Sequence, residues 1–162
     1  MKEKDCLSPV FEITRRIEFD AGHRIPHHHG LCSNIHGHRY GLEITIAGSL
    51  VSGESFSDNG MVVDFQAIQK LACESLIDEW DHAFIVYKDD FILEMLKKIP
   101  NHRTFVLDQP PTVENMAAFA FRRLRNVYQS RYGNTLHLNR IRLYETPNCW
   151  ADVTSGYDSS AT

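Results

Sequence analysis

Residues 19–40 read FDAGHRIPHHHGLCSNIHGHRY, a stretch that holds six of the chain's nine histidines and one of its four cysteines. Counting back from His23, Phe11, Ile13, Ile17, Phe19 and Ala21 fall at alternate positions, with Arg15 the one interruption. Counting forward, His36, His38, Tyr40, Leu42, Ile44 and Ile46 form a second period-two series. Successive side chains of a strand point to opposite faces, so each series predicts one apolar face of a half-buried β-strand. His23 continues the first face, and His36 and His38 begin the second. Three imidazoles are thereby aimed inward among aliphatic neighbours.

A lone inward histidine is usually a core residue bonded to a backbone carbonyl. Three in one short stretch, two of them on one strand face, are better explained by a metal. Neutral imidazole is the commonest metal ligand, and three protein ligands with an open fourth position describe catalytic zinc. His23, His36 and His38 are therefore the candidate Zn2+ ligands. Zinc is preferred to iron because no Asp or Glu sits beside the histidines to make a two-His, one-carboxylate face. Cys32 precedes them in the pattern Cys-x-x-x-His-x-His. It is either a fourth ligand closing a structural site, or a nucleophile or base beside an open one, and spacing leaves both readings standing. A thiolate close to Zn2+ or a cationic imidazole has a lowered pKa, as catalysis requires.

At 162 residues, 43% of them hydrophobic, the chain suits one globular domain, expected over residues 10–153 with flexible tails at 1–9 and 154–162. The formal charge of −4 argues against a nucleic-acid partner. No apolar run is long enough to span a membrane, and the opening Met-Lys-Glu-Lys-Asp does not resemble a signal peptide. Cys6, Cys32, Cys73 and Cys149 lack the spacing of a disulfide framework. The expectation is a soluble cytoplasmic protein with reduced thiols.

Two strands, about Phe11–His23 and His36–Ser49, open the fold. The loop between them carries His27, His28 and His29, read either as a solvated loop or as a cationic patch for a polyanion. A turn over Ser52–Gly60 should lead to a return partner, with Met61–Asp64 a short apolar segment. Phe65, Ile68, Leu71, Ala72, Leu76 and Trp80 then fall at helical spacing, with Asp64 as N-cap and an end near Glu79. Asp81 and His82 follow where that helix gives way to a loop. Phe91–Ile99 suits a short helix and Thr104–Leu107 a brief strand. Thr112 should cap a second long helix with Glu114 in its first turn, while Arg122, Arg123 and Arg125 crowd its exposed side. After Gly133, His137, Asn139, Ile141, Leu143 and Glu145 alternate as one strand face. An ionised Glu145 facing a core is costly without a partner. The order predicts an α+β fold with helices on one face of an antiparallel sheet.

Taken together, F-D-A-G-H-R, C-S-N-I-H-G-H-R-Y, G-M-V-V-D-F, W-D-H, P-T-V-E-N and Y-E-T resemble, in order and over nearly the whole chain, the 6-pyruvoyl-tetrahydropterin and 6-carboxytetrahydropterin synthase family. The resemblance implies the tunnelling fold (T-fold), an antiparallel sheet with two helices built into an oligomeric barrel, usually a homohexamer of two trimers. It implies that His23, His36 and His38 bind zinc and that Cys32 is the catalytic thiol. Asp81 and His82 would complete the proton-transfer set. Glu145 would anchor the pterin, accepting two neighbouring N–H groups as a charge-assisted pair. Thr112 and Glu114 fall in a stretch similar to the pterin pocket, with helix capping the competing reading. The short Cys-to-His gap is similar to the bacterial carboxy branch of the 7-deazaguanine (queuosine) pathway. Those enzymes convert 7,8-dihydroneopterin triphosphate to 6-carboxy-5,6,7,8-tetrahydropterin, acetaldehyde and triphosphate. The nearer alternative is 6-pyruvoyl-tetrahydropterin synthase activity. The more distant one is a non-enzymatic structural zinc module closed by Cys32.

Overall fold

The computed structural model describes residues 9–53 and 55–156. Strands β1 (Phe11–His23) and β2 (His36–Gly48) pair antiparallel along their full lengths, with Phe11 opposite Gly48 and His23 opposite His36. The two period-two series become one continuous apolar face. Ile17, Phe19 and Ala21 are buried on β1, and Tyr40, Leu42, Ile44 and Ile46 are inaccessible on β2. Each such aliphatic or aromatic side chain contributes about 1.5–3 kcal/mol when fully removed from water.

Helix α1 (Phe65–Ala72) starts where Asp64 caps it, its carboxylate accepting the Gln66 N–H at 2.7 Å. A π-helical turn (Cys73–Ile77) and the short α2 (Asp78–Trp80) carry the helical run to Trp80. Next come β3 (Ala83–Tyr87), α3 (Ile92–Leu96) and β4 (Thr104–Leu107). Helix α4 (Val113–Tyr132) is capped by Thr112, whose hydroxyl accepts the Asn115 N–H at 3.3 Å, and stops at Gly133 in the left-handed region (φ +59°). Strands β5 (Leu136–Thr146) and β6 (Cys149–Thr154) close the order.

The six strands form one sheet in the order β4-β3-β1-β2-β5-β6. Residues of α1 and α4, with Trp80, pack onto its apolar face in the main core. The shorter α3 covers Phe84 and Val86 through Ile92 and Leu96 in a separate, smaller cluster. Arg123 is not free on the outside of α4, since its guanidinium is tied to Glu79.

The sheet is antiparallel from β1 through β2 and β5 to β6, but β3 pairs parallel with β1 and β4 parallel with β3. It is therefore mixed, where the sequence predicted antiparallel pairing throughout. Parallel neighbours need a long crossover, and the helical run before β3 supplies one. Ala83–Val86, expected to be loop, is buried at every position and so offers no alternation to read. Strand β2 returns to β5, and not to Met61–Asp64, which folds back on Val51 through a 2.7 Å backbone bond.

Alternation along β5 is broken by a bulge. Thr45 pairs with Arg140 and Ile46 with Leu138, leaving Asn139 unpaired. Leu136 and Leu138 are thus buried together with Ile141 and Leu143, and His137 and Asn139 leave the face assigned to them. A bulge inserts one residue and shifts the phase of the strand, which a strict count misses. Thr154 still belongs to β6, and the parts of the expected tails at 1–8 and 157–162 lie outside the described residues. Among the described residues no helix is long and apolar enough to cross a membrane.

Candidate active site

The end of the β1–β2 pair brings His23, His36 and His38 together, with one donor atom from each within 4.8 Å of the others. Their ring centroids are 4.5 to 5.3 Å apart. Glycine between the two β2 histidines has a steric reason. A Cβ at Gly37 would lie 2.9 Å from the Ala21 carbonyl oxygen and prise the strands apart where His36 faces His23.

Two of the rings are oriented from behind. His23 Nδ1 donates to the Pro111 carbonyl at 2.8 Å, and His36 Nδ1 donates to the Asn34 carbonyl at 2.8 Å. A carbonyl can only accept, so both protons sit on Nδ1 and both Nε2 lone pairs are free. This is how metal-binding histidines are usually held. The Nε2 atoms of His23 and His38 are buried with no hydrogen-bond partner. A buried polar atom left unpaired is costly, and a bound cation would satisfy it. Burial also pushes both imidazoles below their usual pKa, His23 most plainly at 0% exposure, which keeps the lone pairs available. The donor set fits a zinc ion.

Glu145, from the end of β5, reaches the same place, its carboxylate 3.4 Å from His23 Nε2. That corrects the expectation of no acidic neighbour. The carboxylate is far from the histidines in sequence, and sheet order β1-β2-β5 delivers it. A cavity of about 400 Å3 opens beside His38 and Glu145, bordered by Arg16, Arg39, Tyr144 and Thr146. Tyr40 lies beneath the histidines, ring centroids 6.0 Å from His23 and 5.7 Å from His38. Its hydroxyl is buried without a partner, and burial raises its pKa far above the phenol range. The alternation already placed Tyr40 on this face, but nothing in sequence showed its hydroxyl unpaired.

Cys32 sits half-buried on a single 3-10 turn, Leu31–Ser33, its carbonyl accepting the Ile25 N–H at 2.8 Å. Its sulfur is not among the mutually close donor atoms, which are the three imidazoles. His27, His28 and His29 are exposed, and His28 Nδ1 is occupied by the Gly30 N–H at 2.9 Å.

Asp81 and His82 form a dyad, Oδ2 to Nδ1 at 3.0 Å. Burial raises the Asp81 pKa, but the Asp20 N–H and His82 outweigh it and hold it below the ordinary value. His82 has a positive φ of +58° and donates its backbone N–H to the Asp20 carbonyl. The dyad clusters with the Asp20 side chain, one position out of phase with Ala21 and His23 on β1. It therefore opens on the reverse face of the sheet from the three histidines. A cleft of about 550 Å3 there is lined by Asp20, Gly22, Arg39, His82 and Phe84, with His38 at its border.

Thr112 is spent as an N-cap, while Glu114 is exposed on the first turn of α4. Their neighbour Pro111 makes the contact with the site through its carbonyl, which no side-chain pattern could reveal.

Known proteins resemble this chain along most of its length. Residues 12–156 match the family described as 6-pyruvoyl tetrahydropterin synthase. A Rickettsia felis protein named 6-carboxy-5,6,7,8-tetrahydropterin synthase is 38% identical over 149 residues, covering 89% of this chain and 100% of its own. A Haemophilus influenzae protein of the same name is 33% identical, with 88% and 98% covered. Among solved structures, an uncharacterized protein from Wolinella succinogenes superposes with a TM-score of 0.73 at 20% identity, covering 91% of this chain and 99% of that one. The Caenorhabditis elegans 6-pyruvoyl tetrahydropterin synthase gives 0.60 at 23% identity, covering 90% and 96%. These superpositions show a shared T-fold architecture. With the family pattern spanning every strand of the sheet, the chain belongs to the 6-pyruvoyl tetrahydropterin synthase family.

Proposed function

We propose that the protein is a zinc-dependent lyase that converts 7,8-dihydroneopterin triphosphate to 6-carboxy-5,6,7,8-tetrahydropterin, acetaldehyde and triphosphate, in the route to 7-deazaguanines. The observation that carries this reading is the juxtaposition of Glu145 with a cluster of three histidines, two of which, His23 and His38, bury Nε2 atoms that make no hydrogen bond. The names of the Rickettsia felis and Haemophilus influenzae relatives favour the carboxy branch.

His23, His36 and His38 would hold the zinc ion. Bound there, zinc supplies Lewis acidity toward the hydroxyls of the substrate's side chain. Glu145 accepts the amino and ring N–H groups of the pterin and so fixes the side chain beside the histidines. Cys32 as thiolate and His82, oriented by Asp81, move protons on and off that side chain. Triphosphate leaves by elimination, one water adds at the side-chain carbon next to the ring, which becomes the carboxyl group, and the two-carbon fragment leaves as acetaldehyde by C–C cleavage. Thr112 and Glu114 border the pterin pocket in this reading.

Within one chain the dyad faces away from the histidines, so a reaction using both needs a second copy to supply it. This supports a homo-oligomer, proposed as a hexamer of two trimers. The free state of Cys32, Cys73 and Cys149 supports a reducing cytoplasm. The test is incubation of the purified protein with dihydroneopterin triphosphate, followed by mass analysis. Acetaldehyde with 6-carboxytetrahydropterin is expected, and a pterin retaining its side-chain carbons would assign the pyruvoyl reaction instead.

A further inference from the structure

The residue after His23 is bound into a contact that the reaction, as described, does not use. Arg24 Nε donates to the Ser33 carbonyl at 2.9 Å, and Nη1 donates to Asp90 Oδ1 at 2.9 Å. The guanidinium also lies over the Phe91 ring, 5.1 Å from its centroid. Both partners are withdrawn from water, with side-chain exposures of 13% for Arg24 and 1% for Asp90. Asp90 Oδ1 accepts the Ile92 N–H as well, at 3.1 Å, so the carboxylate is fixed to the start of α3.

A buried ion pair is poor at stabilising a fold, because desolvation offsets most of its attraction. What this one does is geometrical. One planar fork joins the end of β1, the turn that carries Cys32 and the corner after β3. Beside it, Ile25 N–H holds the Cys32 carbonyl at 2.8 Å. The two residues following His23 thus grip the carbonyls of both Cys32 and Ser33. The turn itself is one 3-10 turn with no side-chain cap, reached through the exposed His27–His29 loop. Ser33 Oγ donates to the Gly30 carbonyl at 2.9 Å and Asn34 Nδ2 to the Leu31 carbonyl at 3.0 Å, which closes the turn on itself. The Arg24 and Ile25 bonds are what tie it to the residues after His23.

We propose that Arg24, seated on Asp90, is a positioning residue that holds the Cys32 turn at a set distance from the histidine cluster. This rests on the reading above that the Cys32 thiol takes part in the reaction. Lysine cannot replace arginine here. A point charge can stay on Asp90, but only a guanidinium reaches the Ser33 carbonyl at the same time.

The test is Arg24→Lys in the metal-loaded enzyme, with Asp90→Asn as the milder variant that keeps an acceptor for Ile92. Three quantities are read: bound metal, kcat and KM, and the rate of iodoacetamide alkylation at Cys32 and Cys73, separated by peptide mass. For Arg24→Lys, metal content and Cys73 alkylation should match the wild type. Cys32 alkylation should change by severalfold, and kcat should fall by about tenfold with little change in KM, the scale of one lost hydrogen bond to a charged group. Asp90→Asn should move both in the same direction by less. Unchanged Cys32 alkylation or unchanged kcat in Arg24→Lys overturns the proposal. So does a parallel change at Cys73, which marks general loosening. If Cys32→Ala retains activity, it is the catalytic reading of the thiol that fails, and the alkylation arm still reports whether Arg24 holds the turn.

Discussion

At the paired ends of β1 and β2 the two faces of the sheet differ in one physical respect. On the inner face His23 and His38 bury Nε2 atoms that make no hydrogen bond, above a Tyr40 hydroxyl in the same state. On the reverse face, one residue along each strand, Asp20 and Arg39 satisfy each other through two bonds of 3.1 and 3.0 Å. Asp81 accepts the Asp20 N–H there and pairs with His82. The reverse face is polar, exposed and paired within itself, whereas the inner face is polar, partly buried and incomplete. Buried polar groups are nearly always paired in folded proteins, so incompleteness on this scale points to something bound.

Metal content is the largest expected contrast between the two faces. His36→Ala or His38→Ala should bring bound zinc from about one per chain to near none by elemental analysis. Cys32→Ala should retain it, as should Asp20→Asn on the other face. A metal-free Cys32→Ala protein would make the thiol a fourth ligand and turn the site into a closed structural one. The inner face would then need no substrate to complete it.

Glu145 is where the two readings of the carboxylate part company. Glu145→Gln should still bind zinc but present one donor and one acceptor to a two-donor pterin edge. Titration with a pterin analogue should show a loss of roughly 2–5 kcal/mol, as for breaking a buried charged pair. Loss of metal in this variant would make the carboxylate a ligand. Wild-type pterin affinity would remove its anchoring role.

The strands that carry the histidines were legible because each buries a single face, so period two survives in Ile17, Phe19 and Ala21 and in Tyr40, Leu42 and Ile44. Both long helices were legible through their caps, Asp64 and Thr112. Strand β3 was not, because burial on both sides erases the alternation. Half of β5 was misphased because the bulge at Asn139 has no compositional mark. The clustering of His23, His36 and His38 could be read from spacing, since local strand geometry sets it. Its surroundings could not, because the Pro111 carbonyl and the Asp90 carboxylate arrive through tertiary packing.

Thr112 separates a capping role from a binding one. Thr112→Ala removes the acceptor for the Asn115 N–H and should cost about 1 kcal/mol in denaturant unfolding. Thr112→Ser should restore it. Unchanged pterin affinity in both variants would confine the residue to capping and narrow the inner face to the histidines and Glu145.

The smallest effect belongs to the reverse face. Arg142 and Asp152 lie opposite each other across β5 and β6, joined by two 2.8 Å bonds. Arg142 holds the Asp152 carboxyl below its usual pKa, against a smaller opposing effect of burial. A depressed folded-state pKa means that the pair stabilises the fold above the unfolded value, near 3.9, and that this is lost as pH falls through the folded value. With 35% of the Asp152 side chain exposed, solvent screens the attraction, so Asp152→Asn should cost less than about 1 kcal/mol at pH 7. In urea titrations the gap between wild type and variant should hold down to about pH 5 and close below about pH 4. Added salt should also shrink it, as for any exposed pair. A gap of several kcal/mol, or one that widens in acid, would mean that the Arg142–Asp152 pair, unlike an exposed one, is buried against a second copy in solution.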